Sequence, residues 1–313
     1  MRKITVIALS VSLICFSSVS ETSAAVKKLK NKDLPKPTLA ILDTSIDSSL
    51  PIFKDKIIQE VCILEWNTCP NETSFMEGPG SASMTSMMFG SETFSHGTAM
   101  ASVALKTNSD INIVFIRIIG QSVNGSRQST SPKTIVDALF WVFDNKDKYN
   151  IKAVSMSQGS HSFKSSGINY CNEKTGVEIA VKLLLDYEIP SFFAAGNEGD
   201  RHRINWPACI KESISIGSAT KNGLSSYTNS DSNNLDFYAD GSITAIMPEG
   251  IEKNIIGTSV STQVAAAQWL DLKMYNPNLK TQNIYNLFYK TAIKVKNGSK
   301  YVRLINLKGA ING

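Results

Sequence analysis

The chain has 313 residues, enough for one large domain with a substantial core or for two small ones. Hydrophobic residues make up 42% and charged residues 19%, a globular balance that excludes a disordered chain. The net charge of +5 comes from scattered lysines and arginines rather than from a basic patch, which argues against a nucleic-acid partner.

Arg2 and Lys3 precede an apolar run from Ile4 to Phe16, and small and polar residues then lead to Thr22-Ser23-Ala24-Ala25. This pattern predicts a signal peptide over 1–25, because the run is shorter than the roughly 20 residues of a spanning helix. Ile14 is too bulky for a lipoprotein site before Cys15. The expected product is exported, periplasmic or extracellular, with no membrane span after cleavage. Residues 26–36 read as a basic leader, and residues 37–313 as the main domain. Cys62, Cys69, Cys171 and Cys209 follow the expected cut, and an even count in an exported chain points to disulfides. Three pairings are open; Cys62–Cys69 with Cys171–Cys209 is the one expected. No Cys-x-x-Cys pair or neighbouring histidine supports a metal site, so no metal ligand is assigned.

Thr38 to Asp43 is a short apolar run ending in an acid, as in a buried parallel strand. Residues 70–95, rich in Gly, Ser, Thr and Met, read as a long surface loop. Asn112 to Ile118 reads as a strand. Ser131-Pro132 is a helix start, followed by Ile135, Ala138, Leu139, Val142 and Phe143 at helical spacing. Ala153 to Ser157 is a strand, Val177 to Leu185 an amphipathic helix, and Ser191 to Ala195 and Ser213 to Ser218 are strands. Ser259 to Leu270, apolar nearly all round, reads as a buried helix, and Thr281 to Ile293 as another. This alternation predicts an α/β fold of three layers, a mainly parallel central sheet with helices on both faces.

Only three histidines are present, His96, His161 and His202. A serine hydrolase needs a neutral imidazole beside its nucleophile. His96 precedes Gly97 and a run of small residues that reads as a helix with the ring at its start, whereas His161 and His202 lie in polar loops. Asp43 ends its strand, where sites form in open α/β sheets, and a buried carboxylate there would orient a histidine. Ser259 opens a helix whose free N–H groups suit a developing oxyanion; Thr258 and Ser261 are competing hydroxyls. Asn197, between Gly196 and Glu198-Gly199, carries an amide able to donate to an oxyanion.

The order Asp43, His96, Asn197, Ser259 resembles that of the subtilase family. Asp43-Thr-Ser-Ile-Asp47, His96-Gly-Thr98, Ala194-Ala-Gly-Asn-Glu-Gly199 and Gly257-Thr-Ser259 are similar to its four motifs. Ser155-Met-Ser-Gln-Gly159 resembles its cleft-lining strand, Trp206-Pro-Ala208 a segment beside its specificity pocket that often holds a cis proline, and Leu304 to Ala310 its closing segment. The resemblance implies a subtilisin-like catalytic domain over 37–313 and a monomeric serine endopeptidase acting on extended polypeptides through an acyl-enzyme. It implies a triad of Asp43, His96 and Ser259, with Asn197 in the oxyanion hole. It further implies that Ser155, Ser157, Gly159, Ala195 and Gly196 bind substrate. The chemistry needs no cofactor; calcium is common in the family, but no ligands can be assigned. Ser45 stands where the family has Gly, Ala99 where a second His is common, and Val260-Ser-Thr-Gln-Val264 lacks the usual Met and Pro. These departures motivate the alternative of an inactive binding module on the same scaffold. A phosphatase using Asp43 lacks its second acid, because that position is Ser45. An esterase lacks the second glycine of the nucleophile elbow around Ser259.

Overall fold

A computed structural model describes residues 35–160, 171, 175–230 and 235–312. The expected signal peptide, all but the last two residues of the leader, and His161 lie outside the described residues. In chain order the elements are β1 (Thr38–Asp43), β2 (Ile57–Ile63), β3 (Phe75–Glu77), α1 (Glu92–Thr107), β4 (Asn112–Arg117), α2 (Pro132–Asn145), β5 (Ile151–Met156), α3 (Val177–Asp186), β6 (Ser191–Ala194), β7 (Ile214–Thr220), β8 (Gly223–Leu224), β9 (Phe237–Ala239), β10 (Ser242–Ile246), β11 (Glu252–Ile256), α4 (Thr258–Tyr275), α5 (Thr281–Thr291), β12 (Ile293–Asn297), β13 (Lys300–Leu304) and α6 (Leu307–Asn312).

The main sheet runs β12-β13-β9-β7-β6-β5-β1-β4-β2-β3. Every pairing from β13 to β2 is parallel, and β3 and β12 close the edges antiparallel. Helices cover both faces, which is why the central strands are continuous apolar runs rather than alternating ones. Leu39 and Ile41 pack with Val103 of α1 and Trp269 of α4; Ala40 and Leu42 pack with Leu139 of α2 and Leu184 of α3. This is the expected three-layer α/β architecture. The Ser131 hydroxyl caps α2 by accepting from the Thr134 amide at 3.3 Å, with Pro132 in the first turn.

The stretch 70–95 departs from its expected loop. It contains β3 and the first turn of α1, and Ser81, Ala82 and Met88 are buried. The buried carboxylate of Glu60 anchors it, accepting from the Ala82 amide at 3.2 Å. Ile46 bonds Ala82 and Met84, and Gln121 accepts from Thr85, and a segment fixed by such distant partners carries no periodicity to read. β2 and the hairpins β10–β11 and β12–β13 lie outside the expected elements, because their partly exposed strands mix polar with apolar residues.

β1 pairs with β4 on one side and β5 on the other, and α2 carries the chain across between them. The topology therefore reverses at the carboxyl end of β1, the place where open α/β sheets leave a crevice. Gly97 of α1 lets the helix approach this end: a Cβ there would lie 2.4 Å from the Ser45 carbonyl oxygen and 2.7 Å from Phe115 Cζ. Gly97→Ala is expected to cost on the order of 1–3 kcal/mol from overpacking, measured as a lowered urea midpoint. An unchanged midpoint would mean that α1 does not pack this closely.

Candidate active site

Asp43 is the last residue of β1 and is fully buried at the switch point. Its Oδ1 accepts from the Thr44 amide at 2.7 Å and faces His96 Nδ1 at 2.8 Å. The Thr44 and Ser45 hydroxyls both donate to the Phe94 carbonyl at 3.1 Å, and Thr44 Oγ1 accepts from the Gly97 amide at 2.9 Å. The turn after β1 is thus stitched to α1, and Ser45, in place of the usual glycine, supplies one stitch.

His96 does not open its helix as expected. α1 starts at Glu92, directly after Gly90 (φ 79°) and Ser91, and the acidic Glu92 suits the positive end of the helix. The ring is partly exposed. Burial pushes its pKa down and is the largest single influence, but the Asp43 charge and hydrogen bond together outweigh it. Arg127 opposes the rise, and the net pKa lies above the ordinary 6.5.

Ser259 is the second residue of α4, and Gly257 (φ 152°) precedes the helix. Its hydroxyl donates to the Ser157 carbonyl at 3.4 Å and makes no hydrogen bond to His96. The competing hydroxyls are buried and engaged. Thr258 Oγ1 donates to Asn197 Oδ1 at 3.0 Å, and Ser261 Oγ to the Ala239 carbonyl at 3.2 Å. The Thr258 amide also donates to Asn197 Oδ1, at 2.9 Å. With its oxygen held twice, Asn197 presents Nδ2 elsewhere. A methyl built on Gly257 would lie 3.5 Å from Asn197 Nδ2 and 3.8 Å from the Ser259 nitrogen, so both donors border the same space.

The residues expected to bind substrate divide. Gly159 is exposed, and Ser157 contributes the carbonyl facing Ser259. The polar groups of Ser155, Ala195 and Gly196 are engaged within the protein. The Ser155 hydroxyl donates to Gln263 Oε1 at 2.9 Å; the Ala195 amide donates to the Ile216 carbonyl and its own carbonyl accepts from Asn205. The Gly196 amide donates to Thr258 Oγ1 at 3.2 Å and its carbonyl accepts from Asn229. Gln263, in the buried face of α4, recruits both Ser155 and Ser157, which no local pattern announces.

Sequence reasoning passed over two residues here. Gln158 Nε2 lies 3.0 Å from Asp43 Oδ1 and 3.1 Å from His96 Nδ1, and Arg127 Nη2 donates to Gln158 Oε1 at 2.9 Å. Its place in Ser155-Met-Ser-Gln-Gly159, just past the carboxyl end of β5, was the available signal for Gln158; nothing marked Arg127.

Disulfides join Cys62 to Cys69 and Cys171 to Cys209, with Cα separations of 5.9 and 5.7 Å. Trp206-Pro207 is a cis peptide. His202 is exposed, and Arg203 pairs with Asp200 at 2.8 Å. Among the described residues, no cluster of His, Cys, Asp or Glu is arranged to hold a metal ion, and no helix is long and apolar enough to cross a membrane.

The chain is similar to known proteins. The chain is 32% identical over 100 residues to the cell wall-associated protease of Bacillus subtilis (strain 168), covering 32% of this chain and 11% of that protein. It is 25% identical over 219 residues to the intracellular serine protease of Paenibacillus polymyxa, covering 66% of this chain and 63% of that one. The chain thus spans less than two thirds of the length of either relative. Two solved structures share the fold. The prenylagaramide maturation protease PagA has a TM-score of 0.64 at 18% identity, over 89% of this chain and 93% of that one. A cold adapted subtilisin-like serine proteinase has a TM-score of 0.63 at 19% identity, over 90% and 96%. The model of the subtilase family matches residues 35–307. The chain therefore belongs to the subtilase family, a family of serine proteases.

Proposed function

We propose that the protein is an exported serine endopeptidase that cleaves extended polypeptides through an acyl-enzyme. The observation that carries this reading is the 2.8 Å contact between His96 Nδ1 and a fully buried Asp43 at the switch-point crevice. In this mechanism the Ser259 hydroxyl leaves the Ser157 carbonyl, gives its proton to His96 Nε2 and attacks the scissile carbonyl carbon. Asp43 holds the ring with its proton on Nδ1 and stabilises the imidazolium. Asn197 Nδ2 and the Ser259 amide donate to the carbonyl oxygen as it becomes negative. The C–N bond then breaks, and His96 returns the proton to the leaving amine. Water, deprotonated by the same ring, releases the acyl group from Ser259.

Among the described residues Gln158 and Gly159 make no backbone hydrogen bonds, which supports an extended substrate pairing there as an added strand. The N-terminal apolar run and the two disulfides support export to the periplasm or the medium.

A fluorophosphonate probe tests the reading. It is expected to label Ser259, at a rate that rises with pH through a midpoint above 6.5, because His96 acts only when neutral and its pKa is raised. Stability runs the other way. The His96–Asp43 ion pair stabilises the fold fully below the unfolded histidine's pKa, and this contribution is lost as pH rises through the folded value. An unlabelled Ser259 would leave the binding-module reading in its place.

A further inference from the structure

We propose that Gln158, held by Arg127, is a positioning residue that clamps the Asp43–His96 pair; the inference rests on the triad reading above. The amide of Gln158 bridges two charged groups. Its Oε1 accepts from Arg127 Nη2 at 2.9 Å, and its Nε2 lies 3.0 Å from Asp43 Oδ1. A guanidinium has only donors, so the amide atom facing it must be the oxygen, and the NH2 must face the carboxylate. Arg127 thus fixes the orientation of an amide that could otherwise turn over.

That orientation has a consequence at the ring. Gln158 Nε2 is also 3.1 Å from His96 Nδ1. While Nδ1 carries its proton, the ring and the amide both donate to Asp43 Oδ1. The amide neutralises part of the carboxylate's charge, weakening its pull on a second ring proton. Asp43 and Arg127 are the charged groups that act on the ring; on its own helix, Glu92 is engaged with Lys253 at 2.8 Å. Arg127 is exposed, makes no ion pair among the described residues, and is tied by a backbone bridge to Gln121. Clamp and cation together keep the imidazole available as a base at lower pH than Asp43 alone would allow, and the clamp fixes the carboxylate that orients the ring.

The test is an NMR titration of the His96 ring, one of three histidines, with peptide kinetics on the same purified proteins. Gln158→Leu is expected to raise the His96 pKa by about half a unit and to lower kcat roughly tenfold, with KM within about twofold. Gln158→Glu keeps the acceptor for Arg127 but removes the donor to Asp43, so it should raise the ring pKa at least as far. Arg127→Met should lower kcat in the wild-type background and have a smaller effect on kcat in the Gln158→Leu background, where only its direct charge on the ring remains. A His96 titration unmoved in both Gln158 variants, or a raised KM with kcat intact, would overturn the clamp and make Gln158 a substrate contact. The titration does not depend on turnover. A shifted ring in an inactive protein would sink the protease reading alone, and an active protein with an unmoved ring would sink the clamp alone.

Discussion

Ser259→Ala is expected to lower kcat for peptide hydrolysis about a million-fold and to leave the urea midpoint unchanged. The chemical loss is large because no other hydroxyl can substitute: Thr258 and Ser261 are buried and committed to Asn197 and the Ala239 carbonyl. The stability cost is small because the Ser259 hydroxyl makes a single long contact, 3.4 Å to the Ser157 carbonyl. Alanine also suits the second position of α4. Wild-type and variant protein would be compared on one quenched peptide, with denaturation curves run in parallel. A variant within tenfold of wild type would remove Ser259 from the reaction.

Asn197→Leu should lower kcat by roughly 10²–10³-fold, about 3 kcal/mol, with little change in KM. Thr258 fixes which end of the amide faces the reaction by holding Oδ1 at 2.9 and 3.0 Å, and because leucine takes the acceptor from both Thr258 donors, denaturation curves accompany the kinetics. Asn197→Asp separates the two roles of the side chain. It keeps the acceptor for Thr258 but places a negative oxygen where the donor stood, so it should be at least as slow as Asn197→Leu. If Asn197→Asp turned over at the wild-type rate, the oxyanion would have to be held elsewhere.

Local pattern carried a good part of the architecture. β1, α2, α3 and α4 followed from apolar spacing and from the Ser131-Pro132 start, because each buries a face or a whole surface and so writes its period into the chain. Asp43, His96, Asn197 and Ser259 were legible through their order and their glycine-flanked motifs. Ser155, Ala195 and Gly196 were legible as members of cleft-like segments, whereas the partners of their polar groups depend on what the opposite element offers. Gln263, 108 residues from Ser155, draws that hydroxyl inward. The stretch 70–95 likewise owes its order to distant partners, Glu60, Ile46 and Gln121 among them, which the residues of the stretch do not encode.

The amino-acid sequence by itself determined the layered α/β class, the family, and which side chains are chemically able to react, because these rest on composition, period and motif within short windows. Only the tertiary structure decided the register of Asp43 against His96, the inward turn of Ser155, and the clamp of Arg127 on Gln158 across 31 residues. The reason is physical: a hydrogen bond is set by ångströms and angles between groups that the chain separates, and only packing of the whole sheet and its helices brings them to those values.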